Sequence, residues 1–344
     1  MTQQALTVGG TTVKPGERKY IDLPLPHLYT HSQITMPVHV IHGRKAGPRL
    51  FVSAAIHGDE INGVEIIRRL LHTKTLTPLR GTLIAVPVVN VFGFINKSRY
   101  LPDRRDLNRS FPGSESGSLA GQIAHLFLEE IVAHCTHGID LHTAAAGRTN
   151  LPQVRVNLQD NPELEELACA FNSPIVLNAS IRDGTLRKAA SLYQVPTLLY
   201  EAGEALRFDE IPIRGGVRGI LAVMRHLGML PPTKPRKQSY KPLLSHGSRW
   251  VRAPQSGILR RVRSMGKSIR EGDILGYVAD PFGASEQPVY ANTSGVMVGR
   301  STLPLVHEGE ALFHIAQIEG DADIASAFQH FHHEIDPDME NPFR

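Results

Sequence analysis

The sequence predicts an α/β protein: a doubly wound, mostly parallel mixed sheet, followed by a second, small all-β unit. Three observations carry this. Over the first 230 residues, short and nearly unbroken apolar runs alternate with segments of helical spacing. That is the rhythm of strands buried on both faces and of the helices that cover them. A proline- and lysine-rich stretch beginning at Pro231-Pro-Thr-Lys-Pro-Arg-Lys237 then breaks the pattern, as a linker does. From Trp250 to Ala316 short strands recur between glycine turns, and Ala253-Pro-Gln-Ser-Gly257 is echoed by Ala291-Asn-Thr-Ser-Gly295. A half-repeat of this kind predicts a compact β unit with approximate two-fold symmetry. The expected boundaries are 1–230, with 1–48 an extension of edge strands, 231–245 for the linker, 246–318 for the β unit and 319–344 for a polar tail.

Taken in order, residues 1–48 are rich in turn formers, and residues 33–41 alternate as an edge strand does. His27, His31, His39 and His42 lie there without ligand spacing to an acid and read as surface or internally satisfied histidines. The run Leu50-Phe-Val-Ser-Ala-Ala-Ile56 reads as a buried strand that turns abruptly polar at His57-Gly-Asp-Glu60. Ile61, Val64, Ile67, Leu70 and Leu71 then recur at helical spacing. A second buried strand covers 81–90, a polar loop 91–116 and a helix 118–134. Residues 138–143 form a short strand ending at His142. Helix 161–171, strand 174–178 and helix 185–193 lead to a further buried strand, 195–204, that carries Glu201, and helix 216–227 closes the unit. The tail, with His330, His332, His333 and several acids, reads as a solvated or frayed end.

Composition narrows the functional classes. A chain of 344 residues with 41% hydrophobic and 20% charged residues has ample material for a globular core. No segment has the apolar length of a membrane span, and the N-terminus shows neither the basic nor the apolar region of a secretory leader. Cys135 and Cys169 both sit in helix-like apolar segments and read as buried free thiols, so a reducing compartment, the cytoplasm, is expected. The net charge of +4 and pI of about 9.1 would suit nucleic acid, but no Lys/Arg run is interleaved with aromatics, which make up only 6%. A basic surface or an anionic substrate accounts for the excess.

The chemistry gathers at strand ends. In an open α/β sheet the C-terminal ends of parallel strands converge on one edge, where ligands bind. Three such ends carry His57 with Glu60, His142, and Glu201; a fourth, at Asn90, feeds an arginine-rich loop. Two imidazoles and one carboxylate make a three-ligand catalytic zinc site with an open position, and the remaining carboxylate is available as a general base. Asp140, two residues before His142, falls on the same side of an extended chain and can fix the imidazole tautomer.

The order His57-Gly-Asp-Glu60, Arg99-Tyr100, Arg105-Asp-Leu-Asn-Arg109, Asp140-Leu-His-Thr143 and Glu201-Ala-Gly203 resembles the succinylglutamate desuccinylase/aspartoacylase family of the zinc carboxypeptidase superfamily, over roughly residues 45–230. That resemblance implies one zinc ion per chain, held by His57, Glu60 and His142, with Glu201 activating water and shuttling its proton. It implies that Asn108 and Arg109 hold a substrate carboxylate and that Arg99 polarises the scissile carbonyl, with Arg104 or Arg105 as alternatives. Glu204 is an alternative to Glu201 as the base, and Arg155 and Arg182 read as surface charges that could touch an anion.

The β unit resembles the barrel-sandwich fold of biotinyl and lipoyl carriers, but no lysine occurs from Ser268 to Arg300 to be modified. A lid, a substrate-selecting wall or an oligomer contact is expected instead. The expected activity is a zinc-dependent amidohydrolase that removes an acyl group from an N-acyl amino acid or similar small carboxylate-bearing amide. Its partner is then a small molecule, not nucleic acid or membrane, with homo-oligomerisation left open. The rivals are a metallocarboxypeptidase acting on small peptides and a non-catalytic protein that binds an anionic ligand.

Overall fold

The computed structural model describes residues 3–159, 162–233, 241–318 and 324–335. An N-terminal hairpin, β1 (Leu6–Val8) and β2 (Thr11–Val13), precedes β3 (Arg18–Pro24), β4 (Thr35–His42), β5 (Lys45–Ala54), α1 (Asn62–His72) and β6 (Arg80–Val86). Then come α2 (Val91–Ile95), α3 (Leu119–Glu130), β7 (His137–Ala144), β8 (Arg148–Val156), α4 (Pro162–Phe171), β9 (Ile175–Asn178), α5 (Leu186–Leu192), β10 (Thr197–Glu204) and α6 (Glu210–His226). The spatial order is β3-β4-β6-β5-β7-β10-β8. The centre, β6-β5-β7-β10, is parallel, and the pairs outside it, β3-β4, β4-β6 and β10-β8, are antiparallel.

The alternation of side chains along β5 explains why both faces are covered. Phe51 enters one core with Phe127 of α3 and Leu186 of α5. Leu50, Val52 and Ala54 enter the other with Ile66 of α1, Leu167 of α4 and Ile220 of α6. A strand buried on both faces has no place for a polar side chain until it leaves the sheet, so the polar residues of β5, β7 and β10 collect at one edge.

The C-terminal part comprises β11 (Leu243–Ser245), β12 (Gly247–Arg252), β13 (Gly257–Arg260), β14 (Ser268–Ile269), β15 (Ile274–Ala279), β16 (Glu286–Tyr290), β17 (Gly295–Ser301), β18 (Leu305–Val306) and β19 (Ala311–Gln317). Strands β16-β15-β13-β18 form a separate antiparallel sheet. Strands β12-β19-β17 instead prolong the main sheet, because β17 pairs with the first half of β8 at Gly299–Asn150, Arg300–Thr149 and Ser301–Arg148. The β unit packs around Val251, Leu275, Phe313 and Ile315.

Two expectations are corrected. Leu243–Ser245, expected in the linker, is a strand paired in parallel with β9; residues 234–240 lie outside the described residues. The tail expected to be solvated contains α7 (Ile324–Ile335), whose Ala327, Phe328, Phe331 and Ile335 are buried. Their helical spacing forms an apolar stripe that the surrounding histidines and acids hide from a composition-based reading. Both cysteines are free, Cys135 buried and Cys169 partly so. His42 is buried and satisfied by Thr82 Oγ1 and the Gln4 carbonyl. Among the described residues no helix is long and apolar enough to cross a membrane.

Candidate active site

His57 is delivered by a sharp exit from β5. Ala55 adopts a left-handed φ of 52°, a conformation that costs an alanine free energy and persists only where surrounding contacts impose it. Here the contacts are backbone bonds from Val89 N to Ala54 O and from Asn90 N to Ala55 O, 3.0 and 2.9 Å. Gly58 comes next, and a Cβ there would lie 2.0 Å from the Gly93 carbonyl carbon of α2. The turn therefore needs glycine for space, and α2 presses it against the sheet. Glu60 N closes the turn on the His57 carbonyl at 3.1 Å. Asn62, at the start of α1, binds the Ala202 carbonyl and the Asp209 amide, which ties this turn to the end of β10 where Glu201 sits.

His57, Glu60 and His142 are 4, 1 and 4% exposed, and one ligand atom from each lies within 4.8 Å of the others. The structure thus brings together the three residues that the strand ends predicted. Glu60 stands between the imidazoles: His57 Nδ1 is 2.7 Å from its Oε1 and His142 Nδ1 is 2.8 Å from its Oε2. The other ring nitrogens also face carboxylates, with His57 Nε2 at 3.1 Å from Asp106 Oδ1 and His142 Nε2 at 2.7 Å from Asp140 Oδ2. Asp140 is in turn held by Ser53 Oγ at 2.8 Å.

This environment favours positive charge on the imidazoles. Burial works against it, but the carboxylates outweigh burial and raise His57 above the usual imidazole value, and His142 well above it. Burial likewise opposes charge on Glu60, yet the two imidazoles hold its carboxyl below the usual carboxylate range. Without a cation, each imidazole satisfies its neighbours only by carrying protons on both nitrogens. One divalent cation in place of the two Nδ1 protons conserves charge and leaves the Nε2–H groups donating to Asp106 and Asp140. The three groups can therefore hold a metal ion, and each histidine already has the carboxylate partner that orients metal-bound imidazoles.

The arginine-rich loop comes to the same place. Arg99 Nη1 donates to Glu60 Oε1 at 3.2 Å and Nη2 to Asp106 Oδ2 at 3.1 Å. Arg104 and Arg105 are exposed and do not line the cleft, and Arg105 faces Asp103 instead. Asp106 opens the single turn Leu107–Arg109 by accepting the Asn108 amide at 2.8 Å. Asn108 Oδ1 accepts the Leu186 amide at the start of α5 at 3.0 Å, and its NH2 has no partner among the described residues. Arg109 lines the cleft and has no carboxylate partner among the described residues.

Glu201 pairs with His142 in the sheet register, so it lies beside the three-residue cluster. Its Oε2 accepts Asn150 Nδ2 at 2.5 Å and faces Arg155 Nη2 at 3.1 Å. Glu204 points elsewhere, accepting Gly147 N and Thr302 Oγ1. The cleft over these groups has a volume of about 640 Å³ and is lined by six arginines: Arg99, Arg109, Arg148, Arg155, Arg182 and Arg187. Arg155 and Arg182, read from sequence as surface charges that could touch an anion, both line it, Arg155 half-buried and Arg182 exposed. Their surroundings depend on pairings remote in the chain that no local spacing reveals. Burial, and then the charge of Arg155, lower the Arg187 guanidinium to about 10.

The β unit closes one side of the cleft with Gly247, Ser248, Trp250 and His314. Trp250 and His314 stack at 4.5 Å with 6° between their planes, and the Arg148 guanidinium lies 5.3 Å from the Trp250 ring centre. His314 Nε2 is 2.8 Å from Ser248 Oγ. The sequence reading assigned no residue to this wall, nor Asp106, Asn150 or Arg187 to the site. Only Asp106 had a usable signal, since Asp two residues before Asn108 marks a side chain that caps a turn.

The profile of the succinylglutamate desuccinylase/aspartoacylase catalytic domain matches residues 46–227, a little over half of the chain. The N-alpha-acetyl-L-2,4-diaminobutyric acid deacetylase of Halomonas elongata is 25% identical over 307 residues, which are 83% of this chain and 86% of that protein. Among solved structures, a succinylglutamate desuccinylase/aspartoacylase from Rhodobacter sphaeroides superposes with a TM-score of 0.78 at 23% identity, covering 88% of this chain and 96% of its own. The product-bound ectoine utilization protein EutE from Ruegeria pomeroyi gives a TM-score of 0.78 at 23% identity, with coverages of 87 and 95%.

Proposed function

We propose, from the premise that this chain belongs to the succinylglutamate desuccinylase/aspartoacylase family, that it is a zinc-dependent hydrolase removing the acyl group from an N-acyl amino acid with more than one carboxylate. His57, Glu60 and His142 would hold the zinc, a donor set of two nitrogens and one carboxylate with room for a further ligand. When bound, zinc supplies a Lewis acid that polarises an amide carbonyl and lowers the pKa of water towards about 7.

The chain's own groups supply the rest. Glu201 lines the cleft, and its Oε2 is engaged by Asn150 and Arg155, which leaves Oε1 for the reaction. Oε1 takes the proton of the attacking water and passes it to the departing amine nitrogen. Arg99, steadied by Asp106, faces the charge that develops on the carbonyl oxygen. Arg109 grips a carboxylate through its planar fork, and the Asn108 NH2 adds a donor beside it.

The observation that carries the substrate class is the set of guanidinium groups without a carboxylate partner. Arg109, Arg148, Arg182 and Arg187 line the cleft, and none forms an ion pair among the described residues. A single substrate carboxylate leaves most of this charge unmatched, whereas a dicarboxylate or tricarboxylate meets it. A cationic side chain, as in the diaminobutyrate that names the Halomonas protein's substrate, would be repelled.

The test is hydrolysis by the zinc-loaded protein of N-acetyl, N-succinyl and N-formyl derivatives of aspartate, glutamate, alanine and diaminobutyrate, beside short peptides. Glu201→Gln serves as the blank. The expected result is turnover of acidic substrates, lost in the blank with zinc retained. Faster cleavage of peptides would replace the deacylase with a carboxypeptidase. Zinc occupancy without any hydrolysis would leave a binding protein.

A further inference from the structure

Glu201 sits where the sheet is least regular. The register of β10 shifts between Glu201 and Gly203 against β8, and between Glu201 and Glu204 against β7. A carboxylate at such an irregularity is not aimed by a regular ladder, so neighbouring side chains must aim it. Two donors from β8 do so on one oxygen, Asn150 at 2.5 Å and Arg155 at 3.1 Å. Asn150 is 7% exposed and lies between two glycines, Gly203 of β10 and Gly299 of β17.

The second glycine belongs to the β unit, and its role is spatial. Its φ is not in the left-handed region, so its backbone does not demand glycine. A Cβ there would stand 2.5 Å from Asn150 Oδ1, with the Thr149 carbonyl at 3.3 Å and His314 Cβ at 3.5 Å. Only the first of these contacts is prohibitive, and it involves the free end of a side chain. The fold can absorb a methyl group at 299 by swinging the Asn150 amide away, and that movement releases Glu201.

We propose that Asn150 is a positioning residue for the general base Glu201, and that the β unit reaches the reaction through the space Gly299 leaves for the Asn150 amide. This rests on the reading of Glu201 as the base. It gives the β unit a second role besides walling the cleft. No atom of Gly299 need touch the substrate for its substitution to slow the chemistry.

The experiment is a double-mutant cycle on the full-length, zinc-loaded protein, with kcat, KM, zinc content and Tm measured for Asn150→Ala, Gly299→Ala and the pair. Because misplacing a reacting group by about 1 Å can cost 10²-fold, each single variant is expected to lose about 10- to 100-fold in kcat. KM should change by less than about 3-fold, with zinc retained, since only the transition state uses the aimed oxygen. The pair should be no worse than Asn150→Ala alone, because the methyl group acts only through the missing amide. Asn150→Asp keeps the shape, sets a carboxylate against Oε2 and should also lose kcat, so it stands in if the alanine variant does not fold. Wild-type kcat in Asn150→Ala or Asn150→Asp, or losses that multiply in the pair, would overturn the proposal. Turnover by Glu201→Gln would instead overturn the base assignment, and so separates the two failures.

Discussion

His142 and His314 line the same cleft from opposite sides, and their surroundings differ in sign. His142 has a carboxylate at each ring nitrogen, Glu60 at 2.8 Å and Asp140 at 2.7 Å, and is raised well above the usual imidazole value despite burial. His314 is equally buried, stacks on Trp250 and feels the charge of Arg155, so burial first and then that guanidinium push it down to about 3. One side of the cleft is built to hold positive charge, and the other keeps a neutral ring among arginines. In the proposed reaction the amide to be cleaved would lie at the first side, and the arginines around the second would receive its carboxylates.

The comparison can be broken at each side, and the largest effect is expected at the first. His142→Ala removes one of three donors and leaves Glu60 and Asp140 facing each other across a hole. Turnover should be abolished and zinc lost by metal analysis, and full zinc occupancy would remove His142 from the ligand set. Asp140→Asn keeps the shape but takes away the charge behind His142. Zinc affinity or kcat should fall by about 10- to 100-fold, measured by competition with a chelator, and an unchanged affinity would make Asp140 merely structural.

On the second side, Arg187→Ala should raise KM for a dicarboxylate by about 10- to 100-fold, as expected for a lost hydrogen bond to charge of about 1.5–3 kcal/mol. The KM for a monocarboxylate should change less, and equal effects on both would place Arg187 outside the recognition of the second carboxylate. The smallest effect is on stability. His314 has a folded pKa below its unfolded value of 6.5, so the unfolded chain binds more protons between pH 6.5 and about 3, and stability falls as pH drops through that window. His314→Phe keeps the stacking and removes the titration. The loss of Tm between neutral and acid pH should shrink by about 2–4 °C, and an unaltered pH dependence would show that His314 is not the group responsible.

The two sides also differ in how far they could be read in advance. The acidic side is local: His57 and Glu60 share one turn, Asp140 and His142 one strand, and each lies where an apolar run ends. Strand-end geometry then suffices to bring them together. The arginine side depends on β8, which carries Asn150 and Arg155 and contains Pro152. A proline inside a strand argues against the strand, since it gives no ladder hydrogen bond, and the sequence reading leaves 148–156 unassigned. Trp250 and His314 reach the cleft through pairings remote in the chain, β17 with β8 about 150 residues away and β11 with β9, and no pattern within these segments specifies those partners. Alternation and glycine turns made the β strands legible, but not their attachment to the sheet.

That attachment has a consequence for how such a chain can be recombined. The β unit is the end of the main sheet rather than a cassette strung behind it. A fragment ending at the linker would leave the first half of β8 with bare N–H and C=O groups, an open edge that invites another chain to pair there. An exchange of β units between relatives would need an incoming strand in the same register and, on the proposal above, a glycine at 299 to keep the Asn150 amide in place. The two parts of this chain therefore depend on one another, and on the same proposal a hybrid that folds well could still be slow for want of a methyl group's worth of room.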